Sequence, residues 1–445
     1  MRVRPAALAL VVASGATQAS LASNLDNYYM SSEAALQAGA ITADARGGGA
    51  LWYNPAGLAT ISGLRLDVSV NALRLTLGGE ADIESTDANV TIKRLPMMNL
   101  ASVPAAVTLT RKFGDVGLGL GMFVPLDQTA FLRTQLRGRS TGGDGDIELG
   151  VDAHSTMADY FVGPGLGWRF SREVSLGASL FVNYRTELES AAVGGNVVPD
   201  NGERGALLVH ETIDWQQIGT QLVCGLELHP DRKWAAGLTL RLPVVRLYQV
   251  RQNVDMQLVS VGGMIETENT FDEKSGWDAH VIAPPRVHIG LSRRFEAWHA
   301  ALEANYQFPF SDEEQPRRLL AVANLRAGLR HQISPTLRVG GGLFSDRSPY
   351  DPKAFTDRAL NFYGITLGGE LSTPYMTVQK GDQAFTAPKA LVFATGVALS
   401  YAVGVGRVVR ADVVSAVPAE LELREVPARM VAHELTLHIA ATLGE

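Results

Sequence analysis

The stretch VGLGLGMFVPL, residues Val116–Leu126, decides the fold. In an extended chain Val116, Leu118, Leu120, Met122, Val124 and Leu126 share one face, and Gly117, Gly119, Gly121 and Phe123 share the other. The period is two, so the segment is a strand with one greasy face. The same alternation runs through VSLGASLFVNY from Val174, with Val174, Leu176, Ala178, Leu180, Val182 and Tyr184 on one side. It returns at Trp234, Ala236, Leu238, Leu240, Leu242 and Val244, and at Trp298, Ala300, Leu302, Ala304, Tyr306 and Phe308. Leu435, Leu437, Ile439, Ala441 and Leu443 close the chain in the same way.

Alternation alone also fits a soluble sandwich with one solvated face. Length and connections separate the two. Several segments run for about 10 residues or more, which a tilted strand needs to cross a bilayer, against about 5–6 in globular proteins. Aromatic residues sit near the segment ends, at Trp168, Tyr184, Trp234, Trp298, Tyr306 and Tyr401, where interfacial girdles belong. Short polar turns at Gly114-Asp115, Ser171-Arg172, Pro230-Asp231-Arg232, Glu296-Ala297 and Ser334-Pro335 alternate with long connections. The long ones are expected as loops around residues 79–100, 127–157, 186–211, 249–282, 309–320, 346–360 and 406–429. This is the pattern of an all-β transmembrane antiparallel β-barrel of about 14 strands.

Composition agrees. Charged residues make up 19% of the 445, below the roughly 25% of soluble domains. The 45 glycines are about a tenth of the chain, above the usual ~7%. Inward-facing glycines leave room in a lumen and let strands bend. Mean hydropathy of +0.05 is far too low for a bundle of membrane helices. A net charge of −7 gives no footprint for nucleic acid. The single cysteine, Cys224, excludes an internal disulfide framework and any multi-cysteine metal site. At the amino terminus, two arginines within Met1–Arg4, an apolar run over Ala6–Ala16 and small residues near Ala19 and Ala22 come in the order of a secretory signal. Residues 1–22 are read as that signal.

Residues 23–62 do not alternate. Ser31–Ala40 reads as a short helix with Ser32 as its N-cap and Gly39 near its end, and about 40 residues are too few for an independent core, so the piece must dock on something, and the lumen is the available host. It contains Trp52-Tyr53-Asn54-Pro55-Ala56-Gly57-Leu58. A signal, a short helical segment, an Asp44-Ala45 step and this Asn54-Pro55-Ala56 motif ahead of a long barrel resemble the long-chain fatty-acid transporter (FadL) family of outer-membrane proteins. The resemblance implies a 14-stranded barrel over residues 63–445, plugged by an N-terminal hatch over 23–62, in the bacterial outer membrane. It implies passive uptake of hydrophobic molecules, long-chain fatty acids or similar, captured outside and released sideways beside a kink in the third strand.

Mapped onto this chain, the hatch motif and gate are Asn54, Pro55, Ala56 and Gly57, and the laterally opening strand carries Gly117, Gly119 and Gly121. Glycines at such spacing leave one face unobstructed, which also suits ordinary barrel curvature. Asn54-Pro55 also reads as a turn feeding the first strand. Candidate capture loops carry Phe131, Leu132 and Leu136, and Met256, Leu258 and Met264, residues that could equally pack the loops together. Arg241, Arg286, His288, Glu303, Arg326, Arg330 and Arg338 fall opposite the apolar rows and are expected in the lumen. The carboxy terminus, Leu443-Gly444-Glu445, lacks the terminal aromatic residue common in such barrels.

Other chemistry is thin. His433-Glu434 with His438 is not a zinc HExxH, because the two histidines face opposite sides of a strand. Asp144, Asp146, Glu148 and Asp152 read as a solvated acidic loop, with calcium the sharper alternative. Cys224 shares a face with Leu222, Leu226 and Leu228, toward lipid. No catalytic residues, metal or cofactor are expected, and no nucleic-acid partner. The partners are hydrophobic small molecules and outer-membrane lipid, with a monomer expected. The rival functions are a general diffusion porin or structural barrel, and an outer-membrane lipid hydrolase, which needs a Ser-His-acid set.

Overall fold

The structure, a computed structural model, describes residues 29–80, 91–92, 97–139, 145–199, 205–261, 264–311, 318–350, 359–378, 389–417 and 420–444. The expected signal at 1–22, the first hatch residues and Asp144 lie outside the described residues.

Fourteen antiparallel strands form a closed barrel. They are β1 Leu64–Glu80, β2 Met97–Phe113, β3 Val116–Arg139, β4 Gly145–Arg169, β5 Val174–Pro199 and β6 Gly205–Leu228. Strand β7 comes in two segments, Trp234–Arg241 and Val244–Val261, as does β8, Met264–Ala283 and Arg286–Phe295. The remainder are β9 Trp298–Gln307, β10 Val322–Gln332, β11 Leu337–Asp346, β12 Ala359–Val378, β13 Lys389–Val417 and β14 Glu420–Gly444. Strand β14 pairs back onto β1 from Arg65↔Gly444 to Glu80↔Met430, which closes the barrel.

The alternation read from the sequence appears as geometry. Leu118, Leu120, Leu180, Val182, Leu302 and Leu367 stand exposed on the outer wall. Phe123, Phe181 and Asn183 face inward and are fully buried. Apolar exposure repeated around a whole barrel far exceeds the largest apolar patch of an ordinary soluble monomer, and a bilayer is its natural solvent. Trp168 and Phe170, 5.4 Å apart, mark the short-turn rim of this belt, and Tyr306 and Phe308, 5.0 Å apart, mark the other.

The short connections fall where turn chemistry predicts. Gly114 takes φ 60 between β2 and β3. The Asp231 carboxylate accepts from the Lys233 and Trp234 amides at 2.6 and 2.7 Å, an Asx turn between β6 and β7. The long connections differ from expectation. Residues 127–139 pair with 146–158, residues 186–197 with 205–216, 249–261 with 264–276, and 407–417 with 420–429. Most of what reads as loop is therefore two-stranded ribbon projecting beyond the belt. Outside the bilayer neither face of a ribbon must be apolar, so the period-two signal fades while the backbone ladder continues.

The hatch is built from α1 Ser32–Leu36, α2 Gly49–Tyr53 and a 3-10 turn, Pro55–Thr60. The Ser31 side chain accepts from the Ala34 amide at 3.2 Å and caps α1. Ala34, Leu36, Leu51, Ala56 and Leu58 are buried to 1% exposure or less, inside the barrel.

Candidate functional site

Asn54 joins hatch to wall. Its Oδ1 accepts from the Ala56 amide at 3.2 Å and starts the 3-10 turn, with Pro55 at its first position. Its Nδ2 donates to the Thr42 carbonyl at 2.7 Å and to the Leu226 carbonyl on β6 at 3.1 Å. The residue is fully buried. Ala56 and Gly57 follow it against the wall, and a Cβ on Gly57 would run into the Ala45 carbonyl oxygen.

The wall meets the hatch with glycines. A side chain on Gly177 would collide with the Pro55 carbonyl carbon and the Ala56 amide, and one on Gly225 with Asn54 Oδ1. Gly237 faces the Thr42 carbonyl, and Gly340 the Leu36 carbonyl. Two of the three glycines expected at the lateral opening belong to this ring, and the third, Gly121, faces Phe123 and Thr108 of the wall. Gly117 lies against the Leu58 carbonyl and Gly119 against the Leu51 side chain. Gly117, Gly119 and Gly121 also pair regularly, with Lys112, Thr110 and Thr108 on β2 and with Gly167, Gly165 and Gly163 on β4.

The ladder breaks farther along the same strand. Phe123 pairs with Phe161 and Leu126 with Asp159, so β3 carries one extra residue at Val124-Pro125, a bulge. On the other side, the β2–β3 ladder ends at Ala106↔Phe123 among the described residues. Beyond it β2 continues on β1, up to Gly78↔Met97, and β3 continues on β4, up to Arg139↔Asp146. Pro104 and Pro125 flank the break, and neither has an amide hydrogen to bridge it.

A cavity of about 80 Å³, partly open to the lumen, lies above the hatch and reaches this break. Met30, Trp52, Leu126, Phe161 and Val244 supply its apolar lining, and Pro125 belongs to it. Trp52 packs on Phe123 and Phe161 at 5.2 and 5.3 Å between centroids. Its polar lining comes from Arg185, Arg241, Arg286 and Arg326 with Tyr53, Asp159, Gln221 and His288. Arg241 lies 4.1 Å over the Trp52 ring and donates to the Trp52 carbonyl. Arg185 grips Asp159 through two bonds, 2.6 and 2.7 Å long, beside the break.

Buried carboxylates of hatch and wall fasten the two together beneath the cavity. The Glu303 carboxylate accepts from the Ile41 and Thr42 amides at 3.2 and 3.0 Å and contacts His288 Nδ1 at 3.1 Å. Asp44 meets Arg46 at 2.7 Å, Arg294 at 3.2 Å and His299 at 3.2 Å. Burial raises the Asp44 carboxyl, but His299 and Arg46 more than offset this and hold it well below the usual carboxylate range. Burial also pushes Glu33 up, and Arg330, Arg65 and Arg46 bring it below its ordinary value. Of the charged residues expected in the lumen, Arg241, His288, Glu303 and Arg326 are buried there, and Arg330 and Arg338 reach Glu33 at 3.3 and 3.8 Å.

The candidate capture residues stand on ribbons rather than loops. Phe131, Leu132 and Leu136 are in β3, paired with His154, Ala153 and Leu149. Met256, Leu258 and Met264 are in β7 and β8, where Met256 is exposed on the outward face with Val254. His433 meets the Tyr401 hydroxyl at 2.9 Å on the outer wall, while His438 is buried inward against Asn71 at 3.2 Å, so the two never share a ligand. Among the described residues no group of three or more histidine, cysteine, aspartate or glutamate side chains is arranged to hold a metal. Ser190 and His210 approach to 3.1 Å on the outward face, but Thr212 shares the same imidazole nitrogen at 3.2 Å.

A Pseudomonas aeruginosa FadL homologue superposes at a TM-score of 0.58 with 11% identity, over 94% of this chain and 99% of its own. The Pseudomonas putida toluene transporter TodX does so at 0.53 with 14% identity, over 95% and 99%. The monoaromatic hydrocarbon channel CymD gives 0.54 with 12% identity, over 94% and 97%. The chain has the FadL-type fold. It is a β-barrel of the bacterial outer-membrane type. No protein-family model and no curated protein sequence matches it. At such identities the FadL-type likeness is one of architecture, in which hatch, cavity and strand-3 break are read from this chain's own residues.

Proposed function

We propose that this protein is a divergent FadL-family transporter that passes hydrophobic molecules across the outer membrane, without an energy source, by lateral release. The observation that carries this is the coincidence of two features at Pro125: the β2–β3 ladder stops there, and the cavity above the hatch reaches the wall there. An apolar solute held against Met30, Trp52 and Phe161 needs to move only sideways to enter lipid, and never crosses the hatch. Binding of this kind depends on apolar area, with a few polar groups fixing orientation.

The favoured ligand is a long-chain fatty acid. Arg185, Arg241, Arg286 and Arg326 face the apolar lining, and a carboxylate head on an acyl tail suits both halves better than a bare ring. Monoaromatic hydrocarbons are the second reading, favoured by the fold shared with TodX and CymD. Uptake of radiolabelled oleate and of toluene by a transporter-deficient host expressing the protein separates them. Oleate uptake well above toluene uptake is expected, and equal or reversed rates select the aromatic reading. Correctly folded protein that restores neither, with high single-channel conductance, indicates a general pore. Ester hydrolysis by the purified barrel would instead point to an enzyme.

A further inference from the structure

Strands β7 and β8 are both interrupted, and the interruptions face each other. Arg241 pairs with Arg286 on one side of the gap and Val244 with Ala283 on the other, so Leu242-Pro243 stands opposite Pro284-Pro285. Three of these four residues are prolines with no amide hydrogen. The fourth amide, of Leu242, donates to the Leu222 carbonyl of β6 at 2.9 Å. No amide of the four can therefore bond across from β7 to β8.

Each interruption is instead stitched to its outer neighbour. Gln221 Nε2 on β6 donates to the Leu242 carbonyl at 3.0 Å, and the Phe308 amide after β9 donates to the Pro285 carbonyl at 3.2 Å. Strand β8 is irregular just beyond, with register shifts between Trp277 and His280 and between Val281 and Ala283. A bilayer-spanning wall must satisfy its backbone internally, and proline in a central strand works against that. Here the Leu242 amide and carbonyl and the Pro285 carbonyl are bonded away from the β7–β8 seam, where the three proline rings stand.

The seam opens on the same cavity. Val244, Ala283 and Pro284 line it together with Trp52 and with Pro125 of the first break. On the outside, the bond to Phe308 sets the seam at the aromatic rim of the belt, and Arg241 and Arg286 flank its inner mouth.

We propose that the β7–β8 seam is a second side exit of the cavity, through which an anionic amphiphile leaves tail first for the membrane while Arg241 and Arg286 hold its head group until last. The proposal rests on the transport reading above. A kink that only fits two strands to the barrel's curvature predicts no effect on flux, and that difference is testable.

Initial rates of oleate uptake are compared in a transporter-deficient host for the native chain, Ala283→Trp, Pro125→Trp and the double variant. Heat-modifiable migration of each confirms a closed barrel. If both passages carry flux in parallel, each single variant leaves the share of the other, the two residual rates add to about the native rate, and the pair abolishes uptake. The proposal is overturned if Ala283→Trp leaves uptake unchanged in both backgrounds, or if Pro125→Trp alone removes all of it. Should Ala283→Trp misfold, the full-length native chain is irradiated with a diazirine-bearing fatty acid. Label on the peptide holding Pro284-Pro285 supports the passage, and label confined to the β3 side refutes it. A native chain that takes up no oleate defeats the transport reading itself, a result distinct from either outcome.

Discussion

Asp44 sits where Arg46, Arg294 and His299 converge, and its chemistry fixes how the hatch answers to acid. Its folded pKa is depressed, so its contribution is fully present above the ordinary carboxylate value of about 3.9 and is lost only as pH falls through the lower folded value. Single-channel conductance is expected to stay low from neutral pH down to about 4 and to rise only under stronger acid. Asp44→Asn leaves Arg46, Arg294 and His299 around a neutral group. Arg46 and Arg294 are 40% and 45% exposed and well screened, so a loss of about 1–2 kcal/mol, below that of a fully buried pair, is expected in the urea midpoint of barrel unfolding. The ring glycines give a second test. Gly177→Ala pushes a methyl into the Pro55-Ala56 backbone, and overpacking of that kind costs about 1–3 kcal/mol and should make the hatch leak. Gly114→Ala meets nothing within 4 Å; its cost of about 1 kcal/mol comes from φ 60 alone and should leave conductance unchanged. Such residue-scale detail was only half legible. Asn54-Pro55-Ala56 could be picked out from the sequence as the hatch motif, but Asn54's bond to Leu226 joins residues far apart in the chain, which no local pattern encodes.

Among the elements, β3 carries the decisive irregularity, and the physical signal for it was present in the sequence. Gly117, Gly119 and Gly121 are the expected flexible part, yet they sit in unbroken ladder, and the small size of Gly117 and Gly119 serves the hatch. Pro125, in the same stretch, is the residue that cannot donate to a neighbour, and a lone proline in a strand pattern marks a bulge. The two breaks in β7 and β8 bear the same mark at Pro243 and Pro284-Pro285. Deleting Pro125 removes the extra residue, keeps Phe123 and Leu126 inward, and gives β3 one register against β4. A folded barrel with several-fold slower oleate uptake is the expected result, read from labelled oleate in cells and from heat-modifiable migration. The strand cores were legible because lipid enforces an apolar face on every second residue. The projecting ribbons were not, because water imposes no such rule on either face.

Across the whole molecule the strand number, the lumenal charges and the place of the hatch agree with what alternation, turn spacing and the N-terminal motif imply. Specificity does not follow from them, since it depends on which side chains from β3 to β10 converge on one cavity. Excising residues 29–60 should leave a barrel whose β1–β14 seam still closes, with conductance raised to that of an open pore in planar bilayers; unchanged conductance would show that something other than the hatch seals the lumen. The glycine ring carries one more implication, about order in time. Carbonyl oxygens and side chains of the hatch touch wall backbone at Gly117, Gly177, Gly225, Gly237 and Gly340 with no room for a single methyl. A plug fitted that closely cannot be pushed into a finished cylinder past those contacts. Biogenesis must then resemble casting around a core: the hatch settles first against the growing sheet, and the meeting of the first and last strands seals it in.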